Sequence, residues 1–374
     1  MHKKHWLWIA MFAIVICLTP IMGPVLAESS VNENYENRIS AVKPEFSMEK
    51  IESYPSEYEA YFNDNIPFRD QLILMNSSLK YYLFFSSPHG EVVTGKDGWL
   101  FYNNIFDDNC IEAYKGMNLF TEAEMQQIRN NLCTARSLLE ENGTEFVLFI
   151  APNKERIYSE KMPDCFGEPA ETYRTKQLID YLRKNTDIRI VYPYDELMDT
   201  KELYGQNIYY RLDTHWNEIG GYVGSSTLLK ELGIDMTPIS SLSIEMTAPT
   251  ICDLADMLHM REQLNTDADF VLTGYDEYQM QMDEHDILGA YRYRCEGADS
   301  RKLFMIRDSF ADAMDDYVAS RFNESCMVHY QFYLPEVLIT EKPDIFVYEL
   351  VERRINNLLT FDLNSPMAGV TAYQ

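Results

Sequence analysis

The sequence changes from an apolar run to polar residues within Leu303-Phe304-Met305-Ile306-Arg307-Asp308-Ser309-Phe310. The apolar residues predict a buried strand, and residues from about 310 to 321 predict a helix after it. Open α/β sheets bind ligands at the carboxyl ends of their strands, and this strand places Ser309 there. Ser309 is a candidate nucleophile, and the backbone N–H groups of Ser309 and Phe310 are candidate oxyanion donors at the start of the helix. The alternative is that Asp308 or Ser309 only caps the helix.

A second polar segment, Leu212-Asp213-Thr214-His215-Trp216-Asn217, precedes a predicted helix from about Asn217 to Leu232. A serine becomes an effective nucleophile when an imidazole takes its proton and a carboxylate orients that imidazole. His215 and Asp213 supply both groups from one loop. Asp-x-His also occurs in metal sites, but the acidic segment 283–286, the densest source of further ligands, has the pattern of a solvated turn. We therefore expect no metal and no cofactor.

Other polar residues are expected at the same edge of the sheet. Lys154 follows the apolar run 146–150, and Arg353 follows the run 345–350. Lys154 is expected either to neutralise developing charge or hold a sugar hydroxyl, or to lie on the surface. Arg353 is a candidate substrate contact, and the alternative is a structural role in which Glu349 pairs with Arg353 or with Arg307. Trp216 is expected either to stack against a sugar or to pack in the core and fix its loop.

Helix and strand patterns alternate from residue 121 onwards. A capping box formed by Thr121 and Glu124 begins a helix that ends at Gly143, and a strand pattern at 345–350 lies near the end of the alternation. Such alternation predicts an α/β fold, in which a mostly parallel sheet lies between helices on both faces. Residues 234–300 interrupt the pattern, so we expect an insertion there, either a substrate wall or a cap without a ligand.

The first residues of the chain differ from the rest. Lys3 and Lys4 precede an apolar run from Trp6 to Leu18, and small residues end the segment at Ala27. This pattern predicts a cleaved signal peptide or an uncleaved membrane anchor, and both place the rest of the chain outside the cytoplasm. We expect three parts: the export segment 1–27, an arm and helical lead-in over 28–90, and a main domain over 91–374.

The composition limits the partners of this 374-residue chain. Lys and Arg total 32 while Asp and Glu total 59, which gives a net charge of −27. Such a charge opposes binding to nucleic acid, because phosphates need a basic face. In an oxidising compartment we expect some of the cysteines after Cys17 to pair, and buried thiols are the alternative. These six residues are Cys110, Cys133, Cys165, Cys252, Cys295 and Cys326.

Taken together and in order, four segments resemble the AlgX/AlgJ-like branch of the SGNH hydrolase superfamily. They are Gly95-Lys96-Asp97-Gly98-Trp99-Leu100-Phe101, Pro152-Asn153-Lys154-Glu155, Asp213-Thr214-His215-Trp216-Asn217 and Arg307-Asp308-Ser309-Phe310. The Asp-x-His-Trp block also resembles the related DHHW family proteins, and residues 36–38 and 62–70 resemble the usual lead-in. The resemblance covers about 36 to 355. It implies a three-layer α/β/α domain with a circularly permuted order, in which Asp-x-His precedes the serine.

The resemblance also implies a function. By matching position, Ser309 is the nucleophile, His215 the base and Asp213 its orienting partner. The implied activity is O-acetylation of a secreted or cell-surface polysaccharide through an acetyl-serine, with the acetyl donor delivered through a membrane-bound O-acyltransferase. A carbohydrate acetylesterase and a non-catalytic polysaccharide-binding or assembly subunit are the alternatives. Arg307 replaces the usual glycine of Gly-Asp-Ser, and Asn153 is the candidate for the asparagine of the oxyanion hole.

The acidic composition constrains the acceptor as well. A surface of this charge repels an anionic glycan. The acceptor is therefore expected to be neutral or zwitterionic, unless a local basic patch attracts it. The residues expected to form such a patch are Lys154, Arg307, Arg353 and Arg354.

Overall fold

The computed structural model describes most of the chain between residues 41 and 370, together with Trp8. Apart from Trp8, the predicted export segment 1–27 lies outside the described residues, as does the acidic segment 283–286. Among the described helices, none is both long enough and apolar enough to cross a membrane. The described ranges are 8, 41–65, 69–84, 90–104, 109–249, 252–264, 266–275, 280–282, 290–296 and 298–370.

The chain divides into two compact units. The first consists of Met1–Pro88 and Ala255–Gln263, and its helices include α1 (Tyr54–Asp64) and α2 (Arg69–Leu79). The second consists of His89–Leu254 and Leu264–Gln374, and it contains the central sheet and every candidate site residue.

Seven strands form the central sheet, in the order β4-β3-β11-β9-β10-β8-β7, and the other described strands form two two-stranded sheets. Strands β4, β3, β11, β9 and β10 run parallel, whereas β8 is antiparallel to β10 and β7 to β8. The bounds are β1 (Val92–Thr94), β2 (Leu100–Tyr102), β3 (Glu145–Ala151), β4 (Arg189–Val191), β5 (Ser243–Pro249), β6 (Ala268–Thr273), β7 (Met280–Met282), β8 (Ala290–Cys295), β9 (Asp299–Arg307), β10 (Phe322–His329) and β11 (Ile345–Val351).

The second unit contains longer helices that cover the sheet, such as α4 (Glu122–Glu140), α6 (Arg174–Asn185) and α8 (Glu218–Glu231), and several helices of four to seven residues. Helix α4 begins as the sequence predicts, because Thr121 Oγ1 accepts from the N–H of Glu124 and the Glu124 carboxylate accepts from the N–H of Thr121. The bounds are α3 (Cys110–Tyr114), α4 (Glu122–Glu140), α5 (Lys154–Ile157), α6 (Arg174–Asn185), α7 (Tyr194–Tyr204), α8 (Glu218–Glu231), α9 (Asp253–Met257), α10 (Arg261–Leu264), α11 (Asp315–Ala319) and α12 (Pro335–Glu341).

Strand β3 shows why helices cover both faces of the sheet. Every residue of β3 after Glu145 is buried, and successive side chains of a strand point to opposite faces. Val147 and Phe149 pack into one core cluster, which includes residues of α8, whereas Leu148 and Ile150 pack into the other, which includes residues of α4 and α6. The predicted three-layer α/β/α arrangement with a mostly parallel sheet is therefore confirmed.

The interval 234–300 is only partly an insertion. Strands β5 and β6 form a separate antiparallel pair, as an insertion would. Strands β7 and β8, however, extend the central sheet beyond β10. Their pairing depends on a strand that lies later in the chain, and short-range sequence patterns do not reveal such contacts.

The expected cysteine pairing is not seen. The structure forms no disulfide among the six cysteines that it describes. Cys110, Cys252, Cys295 and Cys326 are buried, which fits the alternative of buried thiols.

Candidate active site

The segment after strand β9, here called the nucleophile turn (Arg307–Phe310), is fixed by the neighbouring strand β11. Asp308 Oδ2 accepts a hydrogen bond from the N–H of Val351 at 2.8 Å. The N–H of Asp308 in turn donates to Glu349 Oε2 at 2.8 Å. Burial, together with the nearby charge of Asp308, raises the pKa of Glu349 well above its usual value. These contacts present Ser309, the first residue of the 3₁₀ helix Ser309–Ala313, at the carboxyl edge of the sheet.

The prediction that the N–H of Phe310 is an oxyanion donor is wrong. The N–H of Phe310 donates to Asp308 Oδ1 at 2.8 Å, because Asp308 is the N-cap of the short helix. The prediction that Asp308 caps the helix is therefore confirmed, and this cap occupies the Phe310 donor. Among the described residues, the N–H of Ser309 forms no hydrogen bond, so this donor is available to a ligand.

The base loop (Leu212–Asn217) brings the histidine to the serine. His215 Nε2 lies 2.8 Å from Ser309 Oγ, and His215 Nδ1 lies 2.7 Å from Asp213 Oδ1. Since an ionised carboxylate accepts only, these contacts assign the proton to Nδ1 and leave Nε2 to accept the serine proton. The serine, the imidazole and the carboxylate thus form one continuous line, with both distances inside the range that proton transfer needs.

A second carboxylate, that of Asp253, also lies at this site, and the sequence does not predict it. The N–H of Asp253 donates to Asp213 Oδ2 at 2.6 Å, and the Asp253 carboxylate accepts from the N–H of Thr214 at 2.8 Å and from its hydroxyl. Asp253 Oδ2 lies 3.7 Å from His215 Nδ1. Asp253 is the first residue of helix α9, and no local sequence motif links it to the base loop.

The surrounding charges shift the pKa values of this group in different directions. Burial alone lowers the pKa of His215, but the hydrogen bond and charge of Asp213, with the charge of Asp253, outweigh burial and raise it above its usual value. Burial opposes ionisation of Asp213, yet its bonds to His215 and to the Asp253 N–H lower its pKa. Burial and the charge of Asp213 raise the pKa of Asp253. The imidazolium that forms during proton transfer is therefore stabilised.

Both expectations for Lys154 are wrong. Its ammonium is buried, and it donates to the backbone carbonyls of Leu100, Arg211 and Asp213 at 2.6, 2.9 and 2.8 Å. These bonds use all three of its donors. Burial lowers the pKa of Lys154 to about 8. Lys154 ties β2 and the base loop to the end of β3, and it has no donor left for substrate.

Arg307, another candidate substrate contact, is not available to bind a substrate. Its guanidinium is buried, forms ion pairs with Asp312 at 2.6 Å and Asp315 at 3.2 Å, and lies over the ring of Tyr291. The two aspartates follow Ser309 in the chain, so Arg307 braces the segment after the nucleophile. With Lys154 and Arg307 engaged in this way, the four-residue basic patch considered from the sequence does not form.

The remaining candidates divide between the core and the edge of the site. Trp216 is 1 % exposed and donates from Nε1 to the carbonyl of Phe310 at 2.7 Å, so it fixes the base loop and is not a sugar platform. The Arg353 guanidinium lies 5.2 Å from the Phe310 ring centroid. The backbone N–H of Arg353 donates to Asn153 Oδ1 at 3.1 Å. Because this bond engages the amide oxygen of Asn153, the amide nitrogen is on the opposite side of the group.

Asp213, His215 and Asp253 each offer one possible metal-ligand atom, and these atoms lie within 4.8 Å of one another. The same carboxylates and imidazole already hydrogen bond to one another or to the base loop. A metal ion here would have to displace the bond that orients His215. The expected absence of a metal stays a prediction.

The fold and this geometry define the chain as an α/β protein of the SGNH hydrolase-like class. The chain belongs to the family described as SGNH hydrolase-like domain, acetyltransferase AlgX, whose family model matches residues 92–282, about half of the chain. The matched residues include Asn153, the base loop and Asp253, and the nucleophile turn lies after them.

Similar proteins include the probable alginate O-acetylases AlgJ of Pseudomonas fluorescens, 26 % identical over 187 residues, and of Azotobacter vinelandii, 27 % identical over 186 residues. These alignments cover 49 % and 47 % of this chain, and it spans 43 % of the length of each relative. Among solved structures, Bacillus cereus PatB1 is similar at 15 % identity and a TM-score of 0.54, over 74 % of this chain and 99 % of that one. That likeness shows the fold alone.

Proposed function

We propose that this chain is an O-acetyltransferase that acts on a polysaccharide outside the cytoplasm. The observation that carries the proposal is the continuous line from Ser309 Oγ through His215 to Asp213, with distances of 2.8 and 2.7 Å. Membership of the AlgX-type family and the similarity to alginate O-acetylases support acetyl transfer to a polysaccharide. The apolar segment 1–27 supports export or anchoring.

In the first half-reaction, His215 Nε2 takes the proton of Ser309 as Oγ attacks the carbonyl carbon of the acetyl donor. Asp213 stabilises the imidazolium that results. The oxyanion forms beside the free N–H of Ser309, and Asn153, at the same edge of the sheet, offers its amide as the second donor. The intermediate collapses to acetyl-Ser309 as the leaving group departs with the proton of His215.

In the second half-reaction, a sugar hydroxyl gives its proton to His215 and attacks acetyl-Ser309. The second tetrahedral intermediate collapses to the acetylated sugar, and Ser309 Oγ recovers its proton from His215. If water takes the place of the sugar, the products are acetate and free serine, which is the esterase reaction. The acetyl donor is expected to reach the site through a membrane-bound O-acyltransferase.

The test is the mass of the protein after incubation with 4-nitrophenyl acetate. We expect one added acetyl group, on the peptide that contains Ser309. The Ser309→Ala variant should gain none, whereas Ser365→Ala, which changes a serine whose hydroxyl donates to Asp362, should gain it as the native protein does. A native protein that is never acetylated would favour the non-catalytic alternative. Adding an oligosaccharide then separates the two enzymes, because an acetylated sugar marks a transferase and acetate alone an esterase.

A further inference from the structure

A cavity of about 550 Å³ is lined by residues that follow the carboxyl ends of two sheet strands and by residues of helix α6. Tyr192 and Tyr194 line it and follow strand β4, whereas Arg156 lines it and follows β3. In the sheet, β4 is three strands from β9, which carries Ser309. Since neighbouring strands lie about 4.8 Å apart, β4 is roughly 14 Å from β9. A ligand that reaches both places must be longer than one sugar unit.

Hydrogen bonds connect the wall of this cavity to a candidate oxyanion donor. The Tyr192 hydroxyl donates to Glu352 Oε2 at 3.2 Å and lies 3.2 Å from the Tyr173 hydroxyl. The same Glu352 oxygen accepts from the N–H of Asn153 at 2.8 Å. The cavity wall and Asn153 therefore share the Glu352 carboxylate, so a chain bound in the cavity is positioned relative to the catalytic edge.

The walls combine aromatic rings with a buried donor. The rings of Tyr192 and Tyr194 lie 6.0 Å apart and nearly parallel. The guanidinium of Arg156 lies 3.4 Å from the centroid of the Tyr173 ring and donates to the carbonyls of Ala170 and Tyr114, which occupies two of its five N–H groups. Aromatic rings pack against the C–H face of a sugar ring, and guanidinium and carboxylate groups bind its hydroxyls.

The charges of the lining point to an uncharged ligand. Three cations and three carboxylates line the cavity, so its formal charge is balanced in a chain whose net charge is −27. A balanced set of donors and acceptors suits hydroxyl groups, whereas a site for an ionic ligand concentrates charge of the opposite sign. The residues are Arg156, Lys176, Arg183, Glu171, Asp180 and Asp195.

We propose that this cavity is an acceptor subsite, which binds an uncharged sugar unit of the polysaccharide while a unit further along the chain lies at Ser309. The proposal rests on the proposed function, because it assigns the cavity to the acceptor of the same reaction. It predicts that acceptors long enough to span both places are better substrates than short ones.

The variant Tyr194→Ala tests the subsite, because it removes one wall at a partly exposed position. With cellohexaose and mannohexaose as neutral probes, we expect the KM for the hexasaccharide to rise roughly threefold to tenfold, whereas the KM for cellobiose should stay as in the native protein. Tyr204→Ala changes the same residue type on the same helix, outside the cavity, and is expected to behave as the native protein. Lys176→Ala, on an exposed rim residue, provides a second variant in case Tyr194→Ala does not fold.

Direct binding separates this inference from the proposed function. Calorimetric titration with the two neutral hexasaccharides needs no acetyl transfer, and we expect affinity to fall by the same factor in Tyr194→Ala and Lys176→Ala. Loss of binding in these variants supports the subsite even if Ser309 is never acetylated. Acetylation of Ser309 with equal binding by native and variant proteins overturns the subsite alone. Binding of neither hexasaccharide, or tighter binding of hexamannuronate than of both, also overturns it.

Discussion

The nucleophile turn and the base loop meet at two hydrogen bonds, from His215 to Ser309 and from Trp216 to Phe310, yet they are held in place in different ways. The nucleophile turn is fixed by the strand beside it, through Asp308 and its bonds to the backbone and side chains of β11. The base loop has one isolated β-bridge, between Tyr209 and Trp216. It is also held by side chains from distant segments, among them Lys154 from the end of β3 and Asp253 from beyond β5.

This difference indicates where the site tolerates change. A turn at the end of a sheet strand inherits the rigidity of the sheet, so a side chain there can change while the backbone stays. Arg307, in the place of the usual glycine, is such a change, since it forms ion pairs with Asp312 and Asp315. A loop held by a few buried polar contacts loses its position when one of them is removed. We therefore expect substitutions behind the base loop to have the larger effects on the position of His215.

The largest effect is expected where the two regions meet. Ser309→Ala removes the nucleophile and His215→Ala removes the base, and each should lower kcat for 4-nitrophenyl acetate hydrolysis by roughly 10⁴-fold or more. Because the two groups act as one unit, the double variant should be about as slow as either single variant. Losses that multiply in the double variant would show that the serine and the histidine act separately.

The next largest effect concerns the support of the base loop. Lys154→Met removes the donor from three buried carbonyls, so the free energy of unfolding should fall by about 3 kcal/mol, as measured by urea denaturation. The matched control is Lys161→Met, which loses a more exposed ion pair with Asp97 and should leave the midpoint of the urea transition nearly unchanged. Equal stabilities for the two variants would contradict the role given to Lys154.

The contrast between the two regions also explains what the sequence revealed. Strand β9, Ser309 and the Asp213–His215 pair were predictable, because an apolar run and a two-residue spacing are local patterns. Their association also follows from the sheet, whose parallel strands end at one edge. The resemblance supplied the order of the segments and the roles of these residues.

The supports were not predictable for a physical reason. Lys154 donates to backbone carbonyls that lie more than 50 residues away along the chain. Every residue has such a carbonyl, so the sequence does not indicate which of them Lys154 contacts. Asp253 reaches the base loop across 39 residues. The loss of the Phe310 donor depends on the rotamer of Asp308, which a helix-start pattern does not specify. Sequence patterns thus identified reacting groups better than the contacts that position them.

A smaller effect is expected from the bond that joins the two regions behind the reacting groups. Trp216→Phe removes the donor to the Phe310 carbonyl and leaves a small void, which should lower stability by about 2 kcal/mol. It should also lower kcat about tenfold, because His215 shifts relative to Ser309. Phe346→Leu removes volume on the other face of the sheet, and should lower stability while kcat stays as in the native protein. An unchanged kcat in Trp216→Phe would contradict the link.

The smallest effect concerns the charge behind the base. The reaction needs neutral His215, so a raised pKa places the acid limb of kcat/KM above the pH at which an ordinary histidine titrates. Asp253→Asn removes one of the negative charges that favour the imidazolium, so the limb should move to lower pH by less than about one pH unit. Thr214→Val removes the hydroxyl contacts with Asp253 and with His215 Nδ1 but keeps the Asp253 charge. Its limb should therefore stay in place while kcat falls, and a shift of the limb in this variant would show that loop geometry, and not the Asp253 charge, sets the pKa of His215.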